Sequence, residues 1–378
     1  MGLAARASAQ ENLAAFFTPL KTSMAVILPS TVMHALPIAV VDDRRFDRHR
    51  SEEQHPERPE RLISARAGLA GTLPPAEQVE VLVRAVSEAE AERVHSPEYL
   101  ARLQRMLRTG WGHIDADTYF CPETEEAAWL AAGGAVELSR AVLRGPARRG
   151  IALLRPPGHH ACPSKAMGFC LLNNVAIAAA DALAQGATRV AIVDWDVHHG
   201  NGTQDIFYAE KRVLYVSLHQ SPLYPGTGAP EEVGAPGAEG YNVNIAMPPR
   251  TGPPAYGEAF RTIVLPVLDA FEADLVLVSA GLDGHFKDPL AQLELDADCF
   301  RAMTTALARH VDGLGHGRLA LLLEGGYDLE AIEDSIAAML KALRGEELEL
   351  PTGPLRPVEQ QALLRTDACR CNQGPFRR

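Results

Sequence analysis

The stretch ATRVAIVDWDVHHGNG, residues 187–202, runs from apolar, β-branched side chains straight into two carboxylates, two histidines and a Gly-Asn-Gly turn. The run Val190–Val193 is continuous rather than alternating, the pattern of a strand covered on both faces. If the strand continues, Asp194, Asp196 and His198 share one face, with Trp195 and Val197 turned into packing and His199 facing away. Carboxylate and imidazole are zinc-type ligands, and a site with only three protein ligands keeps a position open for water and substrate. The alternative is a strand end dressed with solvated polar groups. Four metal-competent side chains directly after a buried strand weigh against that, because a buried charge is costly unless paired or metal-bound.

Working outward, four more apolar runs look like the first: IALLRPP (151–157), RVLYVSLH (212–219), LVLVSAG (275–281) and LALLLEGG (319–326). Between them NNVAIAAADALAQG, YGEAFRTIVLPVLDAFEA and DCFRAMTTALARHVDGLG carry apolar residues at helical spacing. Strand, helix and strand repeated in this way predict an α/β fold with a mainly parallel sheet. Each run ends in a polar motif, and ligands of such sheets bind at the carboxyl ends of the strands. Dividing the chain would separate those ends, so the expectation is one domain over 37–345, an extension at 1–36 and a surface-wrapping or partly disordered tail at 346–378.

Two further clusters stand at strand ends. His159 and His160, after Pro-Pro-Gly, cannot both face a core, and imidazole is the natural proton shuttle near neutral pH. Asp283, after LVLVSAG, is placed to be a third metal ligand. Tyr327, after Gly325-Gly326, is brought toward the same rim, although a lone tyrosine there is more often a packing residue.

Composition sets the outer limits. The 378 residues are 47% hydrophobic and 22% charged, ordinary for a globular chain, and the formal net charge of −12 argues against a nucleic-acid partner. Six scattered cysteines make no disulfide framework, and the tail pair Cys369 and Cys371 lacks the partner pair of a zinc module. The N-terminus lacks a signal-peptide pattern, and the apolar run Met24–Val41 is too interrupted to span a bilayer, which makes the cytoplasm the expected compartment and a membrane partner unexpected. Homo-oligomerisation is left open.

Taken together and in order, HPERPERL (55–62), RPPGHH (155–160), GFCLLNN (168–174), VDWDVHHGNGTQ (193–204), SAGLDGHFKDPL (279–290) and LEGGY (323–327) resemble the zinc-dependent histone deacetylase family. That family includes bacterial histone-deacetylase-like amidohydrolases, acetoin-utilisation proteins and acetylpolyamine amidohydrolases. The resemblance implies the arginase/deacetylase fold, a single three-layer domain with a parallel sheet of about eight strands between helices. It implies Zn²⁺ on Asp196, His198 and Asp283, with His160 as general base and His159 as its electrostatic or acid partner. Asp194 would brace His159, and Tyr327 would donate to the oxyanion. Gly168, Phe169, Tyr224 and Leu290 would line a substrate tunnel, Arg61 a product channel, and Asp194, Asp196, His198 and Ser217 a structural K⁺ site. The implied reaction is hydrolysis of acetylated or short-acylated lysine in a peptide or protein.

The departures are informative. Asn201 stands where the nuclear-type members carry an aspartate, pointing to a class II-like branch and a weaker base at His160. Leu290 replaces the glutamate gatekeeper of one polyamine-specific branch, which disfavours acetylpolyamines or other small amides as the alternative substrate. An arginase-type pair of manganese ions would need a carboxylate at 200, where Gly200 stands. A non-catalytic zinc-containing binding module would have no need of both histidines and Tyr327.

Overall fold

The computed structural model describes residues 37–371; the expected extension at 1–36 and the last seven positions of the expected tail lie outside the described residues. Among the described residues ten strands form: β1 (Ile38–Val41), β2 (Gln78–Glu80), β3 (Gly112–His113), β4 (Tyr119–Phe120), β5 (Arg149–Ala152), β6 (Val190–Asp194), β7 (Val213–Gln220), β8 (Asn242–Met247), β9 (Leu275–Ala280) and β10 (Leu319–Leu323). Eight of them make one sheet in the order β2-β1-β5-β10-β9-β6-β7-β8, parallel throughout, while β3 and β4 form a separate hairpin. The five apolar runs are β5, β6, β7, β9 and β10, and their residues are buried end to end. Burial on both faces is what an all-parallel sheet between helices requires.

The order of the strands places the chemistry. β5, β10, β9 and β6 are consecutive neighbours in the centre of the sheet. The segments that leave their carboxyl ends are RPPGHH, EGGYD, GLDGH and WDVHHG. Motifs 170 residues apart in the chain are therefore brought to one edge by strand pairing, as Arg149 opposite Leu319 illustrates.

Several expectations are refined. β5 begins at Arg149 and ends at Ala152, so Leu153–Pro157 already belongs to the outgoing loop; two prolines there cannot donate to a ladder. β6 ends at Asp194, so strand alternation does not carry Asp196 and His198 onto one face. A chain of turns does so instead, with Asp194 Oδ1 accepting from the Asp196 N–H (3.1 Å) and Asp196 Oδ1 from the His198 N–H (2.9 Å). The long helix expected over 256–273 is three pieces, Pro253–Ala259, a π-turn Phe260–Val264 and Leu265–Phe271. In the expected tail, the helix Pro357–Cys371 wraps the edge strand β8, where Leu363 is buried and the Thr366 hydroxyl donates to the Asn244 carbonyl (3.1 Å).

The HPERPERL segment is tied into the centre by charge. Glu57 is fully buried, accepting from Arg155 Nε (2.5 Å) and Nη2 (2.9 Å), Arg61 Nη1 (3.0 Å) and the Tyr119 hydroxyl (2.8 Å). Burial alone would raise its carboxyl, but Arg155, His49 and Arg61 outweigh that and hold it down at about 2. A depressed folded-state value means stability that is present above the unfolded value near 4.5 and lost as pH falls toward 2. Glu57→Gln, which leaves two buried guanidiniums short of an anion, is expected to lower unfolding free energy by about 3 kcal/mol at pH 7. Denaturant melts of the two proteins should converge as the pH is taken from 5 down through this window; a pH-independent difference would refute the assignment.

Candidate functional site

At the shared edge, Asp196, His198 and Asp283 converge, with one potential ligand atom from each within 4.8 Å of the others. His198 Nδ1 lies 3.1 Å from both Asp196 Oδ1 and Asp283 Oδ2. The remaining carboxylate oxygens are taken by backbone amides, Asp196 Oδ2 by Gly325 N–H (2.8 Å) and Asp283 Oδ1 by Val197 N–H (2.9 Å). Burial disfavours the imidazolium, yet the bonds to Asp196 and Asp283 outweigh it and raise His198 to about 10. A divalent cation satisfies the same negative field with His198 as a neutral nitrogen donor, and two carboxylates with one imidazole match the nitrogen and oxygen preferences of zinc. The surroundings are shaped for this: a Cβ at Gly281 would stand 2.1 Å from Asp196 Oδ2, and one at Gly325 2.2 Å from Asp283 Oδ2.

The histidine pair stands beside the trio, its rings 4.0 Å apart. His159 Nδ1 lies 3.1 Å from Asp194 Oδ2 and its Nε2 lies 3.8 Å from Asp196 Oδ1. Burial opposes a charge there, but Asp196 and Asp194 prevail and raise His159 to about 10. His160 faces a neutral partner, with Nδ1 2.8 Å from Asn201 Oδ1, while the Asn201 amide nitrogen points to the sulfurs of Cys162 (3.2 Å) and Met167 (3.5 Å). That assigns Nδ1–H to His160 and a lone pair to its Nε2. Burial, then the His159 and His198 charges, push His160 well below its ordinary value. The pair is thus divided into a cationic and a neutral imidazole.

A cavity of about 210 Å³ leads to these groups, walled by Phe169, Tyr224, Leu223 and Leu290, with Gly168 and Tyr327 among its lining. Phe169 holds a left-handed backbone (φ 67°), its N–H donated to Thr118 Oγ1 (3.1 Å) and its ring edge-on to Tyr327 at 5.8 Å. Burial pushes the Tyr327 hydroxyl well above its ordinary value against the pull of Arg61, so it remains a donor. Tyr327 also forms a wall of a larger depression, about 630 Å³, lined by the segment Arg50–Glu60 and Pro289.

Three further residues lie outside the lining of the small cavity. Arg61 is fully buried and lines neither cavity; it donates to Glu57 and to the carbonyls of Gly326 and Glu324, with its guanidinium 4.9 Å over the Tyr327 ring. Ser217 lies opposite Asp194 in register, its hydroxyl 2.9 Å from His219 Nδ1. His199 turns from the trio toward Thr227 and Gln204.

Three residues were not anticipated. Tyr215 donates to Asp194 Oδ2 (2.9 Å), Asp117 lines the small cavity, and Glu324 accepts from the N–H groups of Gly158 (2.6 Å) and His159 (3.2 Å). Glu324 lay inside a quoted motif; the amides it serves are some 165 residues away, a relation no spacing encodes.

Residues 55–343 match the family described as the histone deacetylase domain. The chain belongs to that family. Histone deacetylase 15 of Arabidopsis thaliana is 43% identical over 307 residues, 79% of this chain but 55% of the plant protein, so the chain spans about half of that relative's length. A probable deacetylase of Archaeoglobus fulgidus is 40% identical over 312 residues (82% of this chain, 87% of that one). A histone deacetylase-like amidohydrolase of Pseudomonas aeruginosa is 38% identical over 291 residues, covering 73% and 77%. The crystal structure of the HDA15 HD domain superposes with a TM-score of 0.83 at 39% identity, over 89% of this chain and 96% of that one. The deacetylase-family sheet is thus the sheet described above. Among the described residues no helix is long and apolar enough to cross a membrane.

The packing at Gly281 gives a direct test of the metal reading. Gly281→Ala is expected to displace Asp196 and lower Zn²⁺ affinity by about tenfold or more, as loss of a support to a ligand does. Calorimetric titration of metal-free protein checks this; unchanged affinity in a folded variant would refute it.

Proposed function

We propose that the protein hydrolyses the amide of acetylated or short-acylated lysine, with Zn²⁺ held by Asp196, His198 and Asp283, releasing the carboxylate and the free amine. One observation carries this reading. A small cavity with aromatic walls ends at His198 of the buried Asp-His-Asp trio, beside a histidine bonded to a carboxylate (His159–Asp194), a histidine bonded to an amide (His160–Asn201) and the Tyr327 hydroxyl.

A bound zinc ion supplies Lewis-acid polarisation of the amide carbonyl and lowers the pKa of a coordinated water. The chain's groups divide the remaining work. His160, neutral with its lone pair on Nε2, takes a proton from the attacking water, and its uncharged partner Asn201 makes it a modest base. His159, braced by Asp194, stabilises the developing negative charge and serves as the proton donor to the leaving amine. The Tyr327 hydroxyl donates to the carbonyl oxygen as it becomes an oxyanion. Phe169, Tyr224, Leu223 and Leu290 enclose the four-methylene stem of the lysine, each buried CH₂ adding about 0.8 kcal/mol to binding. The same reading includes a structural K⁺ around Asp194, Asp196, His198 and Ser217, supported by the register that sets Asp194 beside Ser217.

A second reading, a small cationic acylated amine as substrate, is favoured by one observation, the Asp117 carboxylate in the cavity lining. Leu290, apolar at the same cavity, argues for the acyl-lysine peptide. A binding module without catalysis would gain nothing from two adjacent histidines, one bonded to Asp194 and the other to Asn201, facing the same cavity as Tyr327.

With acetyl-lysine peptide, turnover is expected to vanish on chelation and return with Zn²⁺, and His160→Ala should lower kcat by about 10²–10⁴. Metal-independent turnover, or an unimpaired His160→Ala, would falsify the proposal. Comparing acetylputrescine with the peptide separates the two substrates; the peptide is expected to lead, and Leu290→Glu to move the ratio toward the polyamine.

A further inference from the structure

The catalytic reading places Tyr327 as donor but leaves open what aims it. Tyr327 belongs to no strand; it follows two glycines after β10 and precedes the helix Leu329–Leu343, which Asp328 caps by accepting from Ala331 N–H (2.8 Å). Beside the contacts its ring makes with Phe169 and Arg61, its direction is set by the peptide plane joining Gly326 to Tyr327. That peptide is gripped at both ends. Its carbonyl accepts from Arg61 Nε (2.5 Å), and its N–H donates to Asp288 Oδ2 (2.7 Å). Gly326 has φ 114°, a region that glycine enters freely, so the backbone itself does little to hold the plane.

Asp288 comes from the loop after β9, the same loop that carries Asp283. It is buried, and its second oxygen accepts from the N–H of Leu290 (3.0 Å), a wall of the small cavity. Its own N–H is fixed on the His285 carbonyl (2.9 Å). One carboxylate thus joins the loop after β9 to the loop after β10; it bonds the backbone of two residues that line the small cavity, Leu290 and Tyr327, without itself lining that cavity.

We infer that Asp288 is a positioning residue for Tyr327: by holding the Gly326–Tyr327 peptide plane from its N–H side, it sets the hydroxyl where the oxyanion develops. The inference rests on Tyr327 acting as donor in the proposed reaction. Asp288→Asn keeps the shape but offers one acceptor and one NH₂ to two amide N–H groups, so one of them loses its partner.

The test is a double-mutant cycle in kcat on acetyl-lysine peptide with Zn²⁺ supplied, using the full chain, Asp288→Asn, Tyr327→Phe and the double variant. Tyr327→Phe should lower kcat by about 10²–10³ as loss of an oxyanion donor does. Asp288→Asn should lower it by about tenfold, the scale of a small misplacement of a catalytic group. If Asp288 works through Tyr327, adding Asp288→Asn to Tyr327→Phe costs less than about twofold, because there is no hydroxyl left to aim. Losses that multiply, in variants with unchanged melting temperature and zinc content, would overturn the inference, since a merely structural carboxylate acts alike in both backgrounds. Asp288→Ala run through the same cycle decides the matter should the Asn variant not fold. Full kcat in Tyr327→Phe is a different result: it removes the donor reading itself, and this inference with it.

Discussion

Five buried carboxylates at the centre of one sheet edge, each bonded to backbone N–H groups, are the constraint on which the rest of the structure depends. Asp194 accepts from Asp196 N–H, Asp196 from His198 and Gly325, Asp283 from Val197, Glu324 from Gly158 and His159, and Asp288 from Leu290 and Tyr327. Leaving such an anion unsatisfied would cost several kcal/mol, more than a marginally stable domain can lose at five positions. Most of these bonds cross between loops of different strands. The loop after β6 is laced to those after β9 and β10, and the loop after β10 to those after β5 and β9. Satisfying the charges and shaping the site are one and the same event.

This concentration of negative charge also explains how two adjacent histidines of one tripeptide differ. His159 looks toward Asp194 and Asp196, while His160 looks toward the neutral amide of Asn201. Glu324 and Asp288, with no basic side chain bonded to either carboxylate, are both raised to about 7, chiefly by burial. The basic groups near the site are spent elsewhere: Arg61 and Arg155 are committed to Glu57 and to backbone carbonyls. The centre therefore retains its negative field for a cation.

Much of this was legible from the chain because the physics is local. Continuous apolar runs identify β5, β6, β7, β9 and β10, since two-sided burial writes itself into consecutive residues. Their polar ends identify Asp196, His198, Asp283 and the His159–His160 pair. The edge strands were harder. β1 lies in an apolar run that reads only as too short for a membrane span, β2 is three partly exposed residues, and β8 mixes Asn242 and Asn244 with apolar neighbours. The positioning groups were hardest, because a carboxylate that serves a distant amide leaves no periodic trace. Asp288 and Tyr327 are 39 residues apart, and Arg61 and Gly326 are 265. The helix Pro357–Cys371 was equally hidden; Thr366 bonds it to β8, Leu363 is buried beneath it, and the Arg365–Glu231 pair (2.7 Å) ties it to the loop before that strand.

The strand order has a consequence for how the molecule comes into being. β9 and β10 are the last strands of the sheet in the chain, yet they fill the middle of it, between β5 and β6. During synthesis the first two thirds of the chain can pair β2-β1-β5 as one ribbon and β6-β7-β8 as another, each with an unpaired edge where the centre will be. Pairings this distant in sequence are slow to form, and open edges invite association with other chains. Both edges stay open until the chain acquires Asp283 and Tyr327, and the Asp196–His198–Asp283 trio is assembled only when the two ribbons are zipped together by the final strands.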